Sequence, residues 1–185
     1  ALWRTTALLV AACSLTLMLL ANAGAQEEAA LPGGPVHYRV TWKGDAARQA
    51  TVSWNTYAKG EAHRLKYRAE GDEKWTTLDC QRSGRYFGKL AKDKRLYYHH
   101  ARLTDLEPAT KYQVVCESDG EASREMYFIT APADDVPFSL LFGGDSRSGP
   151  EARRAINRQM ANMIAEATTA GRPEILALAH GGDYM

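Results

Sequence analysis

Between Val36 and Thr130 the chain is cut into short segments in which polar and apolar residues alternate. This period of two constrains the fold more than any other feature of the 185 residues. The segments "HYRVTW", "ATVSWNT", "HRLKYRA", "KWTTL", "YYHHARL", "YQVVCES" and "EMYFIT" are rich in Tyr, Trp, Thr and Val, and clusters of Gly, Asp and Lys separate them. In "ATVSWNT", Ala50, Val52 and Trp54 fall on one face while Thr51 and Ser53 fall on the other, as in a strand with one side buried. About seven such segments at this spacing predict an antiparallel sandwich with Trp54 on its apolar face.

Within it, "LEPATKY" places Leu106, Pro108 and Tyr112 at the spacing of the corner before the sixth strand of immunoglobulin-like sandwiches, where a Tyr hydroxyl bonds to nearby backbone. Tyr112 is therefore expected to be buried and structural. The neighbours His99 and His100 point to opposite faces of a strand, so they are read as ordinary strand residues and not as a shared metal site. Cys116 shares parity with Tyr112, and Cys80 shares it with Leu78. Parity turns these thiols inward but leaves open whether they form a disulfide.

After the linker-like "APADDVP" (Ala131 to Pro137) the pattern changes. "FSLLF" is a nearly continuous apolar run, as in a strand covered on both faces. Ile156, Met160, Met163, Ile164 and Ala167 then recur at helical spacing. Ser148 with Glu151 fits a capping box, Pro150 suits a first turn, and Gly171 and Pro173 end the helix. "EILALAH" reads as a second buried strand. A strand, helix, strand crossover makes the two strands parallel, and open sheets of this kind bind ligands at their carboxyl edge. Asp145, in "GGDSRSG", and Asp183, in "GGD", both emerge at that edge after a Gly-Gly pair. Two carboxylates gathered there repel unless a hard cation lies between them, so the pair is read as a metal site. Arg147 is placed to contact an anionic substrate or to pair with Asp145.

At the other end, "ALWRTTALLVAACSLTLMLLANAGAQEEAA" has one Arg before an apolar run, small residues at Ala21, Ala23 and Ala25, then Glu27 and Glu28. This predicts a signal peptide over residues 1–25, cleaved after Ala23 or Ala25, with secreted or periplasmic localisation and no stable membrane insertion thereafter. Loss of Arg4 takes the 23 basic residues to 22, against 22 acidic. That balance argues against a nucleic-acid partner.

The combination of "VSWNT", "LEPATKY", "GGDSRSG", helix, strand and "GGD" resembles the amino-terminal part of a purple acid phosphatase-like metallophosphoesterase with a fibronectin type III-like domain. The resemblance implies a fibronectin III-like sandwich at 35–131, followed at 137–185 by the start (β-α-β) of an α/β metallophosphoesterase domain. It also implies two-metal hydrolysis of a phosphate ester, with Fe paired with Zn, Mn or Fe. Asp145 would ligate one ion, Asp183 would bridge both, and Arg147 could hold a phosphate oxygen. Members commonly carry Gly or His where this chain has Arg147, and Tyr184 does not match the position of the family's metal-binding Tyr. The remaining ligands are expected beyond Met185, so this chain alone is expected to be inactive. A second reading is a secreted sandwich that binds or adheres, with a non-catalytic α/β tail. A nucleotide cradle at "GGDSRSG" ranks below both, because it lacks the Lys-Ser/Thr ending of a P-loop.

Overall fold

The computed structural model describes residues 33–87, 95–144, 149–169 and 175–180. The first part is a two-sheet sandwich built from β1 (Val36–Thr41), β2 (Ala50–Thr56), β3 (His63–Ala69), β4 (Thr76–Asp79), β5 (Arg82–Arg85), β6 (Tyr97–Leu103), β7 (Lys111–Ser118), β8 (Glu121–Ala122) and β9 (Met126–Ile129). One sheet has the order β1-β2-β6-β5. The other runs β4-β3-β7-β8, with β9 also paired to β7. All pairings in both sheets are antiparallel. The described strands of the sandwich number nine rather than about seven. The extra ones are β5, whose "RSGR" carries no apolar residue, and the two-residue β8.

Alternation decides the core. Ala50, Val52 and Trp54 of β2 and Ala101 and Leu103 of β6 face Leu65 of β3, Tyr112, Val114 and Cys116 of β7, and Phe128 of β9. Trp54 is fully buried. A side chain of that size removes roughly 200 Å² from water, worth about 5 kcal/mol as an upper bound. Tyr112 is buried and stacks on Phe128. Its hydroxyl accepts a 2.9 Å hydrogen bond from the Glu107 N–H, which closes the corner expected from "LEPATKY".

Both thiols are free. Cys116 lies on β7 opposite Leu65, and Cys80 follows β4 on the far side of β3. Two strand spacings of about 4.8 Å exceed the Cα separation that a disulfide spans, about 7 Å at most. Burial pushes the Cys116 thiol up to about 12, which makes it unreactive.

The β7–β8 hairpin turns on Asp119 and Gly120, both with positive φ, the conformation of a two-residue type I′ turn. Asp119 Oδ1 then accepts 2.9 Å hydrogen bonds from the N–H groups of Glu61 and Ala62, which ties the turn to the segment before β3. Those N–H groups hold the Asp119 carboxyl below its usual range. Gly60 makes this approach possible, since it has φ of 60° and a Cβ there would lie 2.1 Å from Asp119 Oδ2. Gly60→Ala is therefore expected to cost at least about 1–2 kcal/mol, from left-handed backbone and loss of the Asp119 clamp. A thermal unfolding midpoint unchanged from the parent would refute this.

The second part comprises β10 (Ser139–Gly143), α1 (Pro150–Thr169) and β11 (Ile175–His180). β10 and β11 pair in parallel, as the crossover rule predicts. The helix begins at Pro150. The capping residue expected before it, Ser148, lies outside the described residues, as do Gly171 and Pro173. The apolar surfaces are less covered than the sequence pattern implies. Leu140 and Phe142 are exposed, Phe142 to 82%, as are Ile156, Met163 and Leu178. A two-stranded sheet with one helix lacks the layers needed to cover both faces of a strand such as "FSLLF". Among the described residues, no helix is long and apolar enough to cross a membrane.

Candidate functional site

The parallel register places Gly143 of β10 level with His180 of β11. The carboxyl ends of the two strands therefore form one edge, and Asp145 and Asp183 follow within three residues of it in the chain. Asp145, Arg147 and Asp183 themselves lie outside the described residues, as does Tyr184. Among the described residues, no group of three or more His, Cys, Asp or Glu side chains is placed to hold a metal ion. The described residues thus supply the strands that carry the expected ligands, not a metal shell.

The described residues do contain a polar cluster at one end of the sandwich, which the sequence pattern undervalued. His99 is fully buried, in ring contact with Trp54 and stacked on His63 at 3.7 Å between centroids. Its tautomer follows from its partners. Thr56 Oγ1 donates to Ala58 O at 2.6 Å, so it accepts from His99 Nε2–H at 2.9 Å. Ser83 Oγ then donates to His99 Nδ1 at 2.9 Å.

A second chain runs alongside. Trp54 Nε1 donates to Ser118 Oγ at 3.0 Å, Ser118 pairs with His63 Nδ1 at 3.0 Å, and His63 Nε2 donates to Lys59 O at 3.0 Å. Burial first, then the neighbouring His63 and His100, hold His99 down at about 4, against a smaller opposing pull from Asp119. The cluster borders an open polar cavity of about 260 Å³ lined by Glu61, His63, Arg64, Asp79, Cys80 and Ser83.

This network satisfies buried polar groups at strand ends and fixes the Trp54 ring, so its role is structural. Parity correctly separated the two histidines. His99 faces the core, while His100 Nδ1 meets Ser53 Oγ at 2.7 Å on the outer side. The hydroxyl partners Thr56 and Ser118, both buried, and Ser83, on an exposed edge strand, come from three different strands, and spacing along one segment carries no signal of such a meeting.

Fold and crossover together define a fibronectin type III-like sandwich followed by a parallel strand, helix, strand unit. Residues 35–130 match the family model described as "Purple acid Phosphatase, N-terminal domain". The chain belongs to that family. No curated protein matches it. Among solved structures it is similar to the fn3 domain of human contactin 1, at 16% identity over 63% of this chain and 95% of that one, with a TM-score of 0.40. It is also similar to the fn3 domain of the human collagen alpha-1(XX) chain, at 19% identity over 63% of this chain and 98% of that one, with a TM-score of 0.35.

Proposed function

We propose that this chain is the amino-terminal part of an exported, metal-dependent phosphate-ester hydrolase. The observation that carries the reading is the family match over 35–130 followed directly by the parallel β10–α1–β11 crossover. In this reading Asp145 and Asp183 are metal ligands contributed from one sheet edge, and Arg147 contacts a nonbridging phosphate oxygen through its planar fork of N–H donors. A bound metal pair would supply a nucleophile at moderate pH and neutralise charge on the phosphoryl group. The chain's own part is to bring two carboxylates and a guanidinium to neighbouring loops of a rigid sheet. The sandwich serves as a stable appendage to that domain.

The test uses the protein in which the sandwich precedes a whole α/β domain. Turnover of an aryl phosphate, lost on treatment with a chelator and restored by divalent metal or iron, is the expected result. Turnover that survives complete metal removal would refute the reading.

A further inference from the structure

The two sheets of the sandwich carry charge in opposite ways. The strands of the β1-β2-β6-β5 sheet contain no Asp or Glu, but they include Arg39, Arg82, Arg85 and Arg102. The other sheet mixes signs, and its cations are paired: Arg64 with Asp79, Lys66 with Glu117, Arg68 with Glu125, and Lys111 with Glu70. Among the described residues of the sandwich, every ion pair lies on that second sheet. A net charge of +1 for the whole sequence conceals this segregation.

Register places Arg39, Ser53, His100 and Arg82 in one row across four strands. At about 4.8 Å per strand the backbone positions of Arg39 and Arg82 are about 14 Å apart, and that of Arg102 lies about 7 Å along β6 from that of His100. The guanidiniums are steadied by neutral groups. Arg39 Nη2 donates to Tyr86 Oη at 3.0 Å, Arg102 Nη2 donates to Gln49 Oε1 at 3.0 Å, and Arg82 lies over the Tyr98 ring at 5.8 Å. Such partners orient a guanidinium without cancelling its charge, and each takes few of its five N–H donors.

The positive potential registers on His100. Its pKa is lowered first by burial, then by Arg82, Arg39 and Lys43. Asp45, close to Lys43 in sequence, turns its Oδ1 to the Ala47 N–H at 2.9 Å.

A face whose arginines rise from backbone positions about 8 to 14 Å apart on three strands presents its charge as a spread row and not as a single enclosed anion pocket. It suits a ligand whose anionic groups repeat along an extended chain. The Tyr98 ring is stacked on His100 and in edge contact with Tyr86, so it is committed within the face and does not offer a platform for nucleobases. The guanidinium fork matches a planar carboxylate in two-point contact, and the hydroxyl and amide groups between the arginines match a ligand dense in hydroxyls. We infer that the outer face of this sheet, centred on Arg39, Arg82 and Arg102, is a docking surface for a linear acidic polysaccharide of uronate type. This surface is independent of the proposed phosphate chemistry.

Binding of the 185-residue chain to immobilised polygalacturonate tests it. Binding is expected at low ionic strength and should weaken as NaCl is raised. An Arg39→Gln/Arg102→Gln variant should bind roughly tenfold more weakly or worse. A Lys66→Gln/Lys111→Gln variant on the other sheet should bind as the parent does. Thermal unfolding reports whether each variant is folded, and Arg82→Gln serves as the single-site variant if the double change unfolds the chain. Absence of parental binding would overturn the inference, as would unchanged affinity in the folded arginine variants. Equal binding to neutral dextran, or tighter binding to a single-stranded oligonucleotide of matched charge, would also overturn it.

Discussion

Lowering the pH from 7 to 4 is expected to destabilise the sandwich by on the order of 3 kcal/mol through His99 alone. The sign follows from which state takes up the proton. His99 is held at about 4 in the folded chain against 6.5 for the free imidazole. Between those values the unfolded state binds a proton that the folded state excludes, so stability falls as pH drops through this window. It is fully present above pH 6.5 and levels off, for this group, below about 4. Each tenfold loss of proton affinity is worth about 1.4 kcal/mol, which sets the size.

The cause is burial first, then the neighbouring imidazoles. A proton added at Nδ1 would place a charge out of water against the stacked His63 ring, while the Ser83 hydroxyl could turn from donor to acceptor and offset only part of that cost. His100 is lowered as well and acts in the same direction. His99→Gln can keep a donor toward Thr56 and an acceptor toward Ser83 without titrating. Denaturant midpoints at pH 7, 5.5 and 4 should therefore fall steeply in the parent and less steeply in the variant. Equal slopes would show that the proton goes elsewhere.

The sandwich was legible because its information is local. The parity of "ATVSWNT" and "YQVVCES" assigns Trp54, Val114 and Cys116 to the core without knowledge of the partner strands. The corner formed by Tyr112 was legible for the same reason, since the hydroxyl reaches an N–H only five residues away. The strand "RSGR" was not, because an edge strand with no apolar residue has no alternation to detect, and only its pairing with β6 defines it. The His63 and His99 cluster was hidden because its hydrogen bonds between side chains span 16 to 64 positions, set by sheet order and not by spacing. The charge segregation was hidden too, because a total near neutrality does not say which sheet receives the carboxylates. Of the expected metal site, the parallel crossover was legible from the change of period at Ser148, and β10 and β11 are parallel as expected. Asp145, Arg147 and Asp183 lie outside the described residues, so their roles rest on the family and on the strand edge.

Replacing Asp183 with Asn, in the protein with a whole α/β domain, is expected to lower phosphate-ester kcat on the order of 100-fold or more, about 2.7 kcal/mol of barrier. On the proposed reading Asp183 would be a ligand of the metal centre, and an amide oxygen in its place would carry no charge to hold a hard cation. Arg147→Ala should cost less, about tenfold and mainly in KM, because a guanidinium that positions substrate binds ground state and transition state alike. Both positions lie outside the segment that forms the sandwich core, Ala50 to Phe128, so the unfolding of that module should not move.

Metal content of the purified parent, Asp145→Asn and Asp183→Asn proteins tests the assignment most directly. A dinuclear centre predicts about two ions per chain in the parent. It predicts a clear loss in each variant while the sandwich stays folded. Two ions retained in Asp183→Asn would contradict the placement of the centre at this sheet edge.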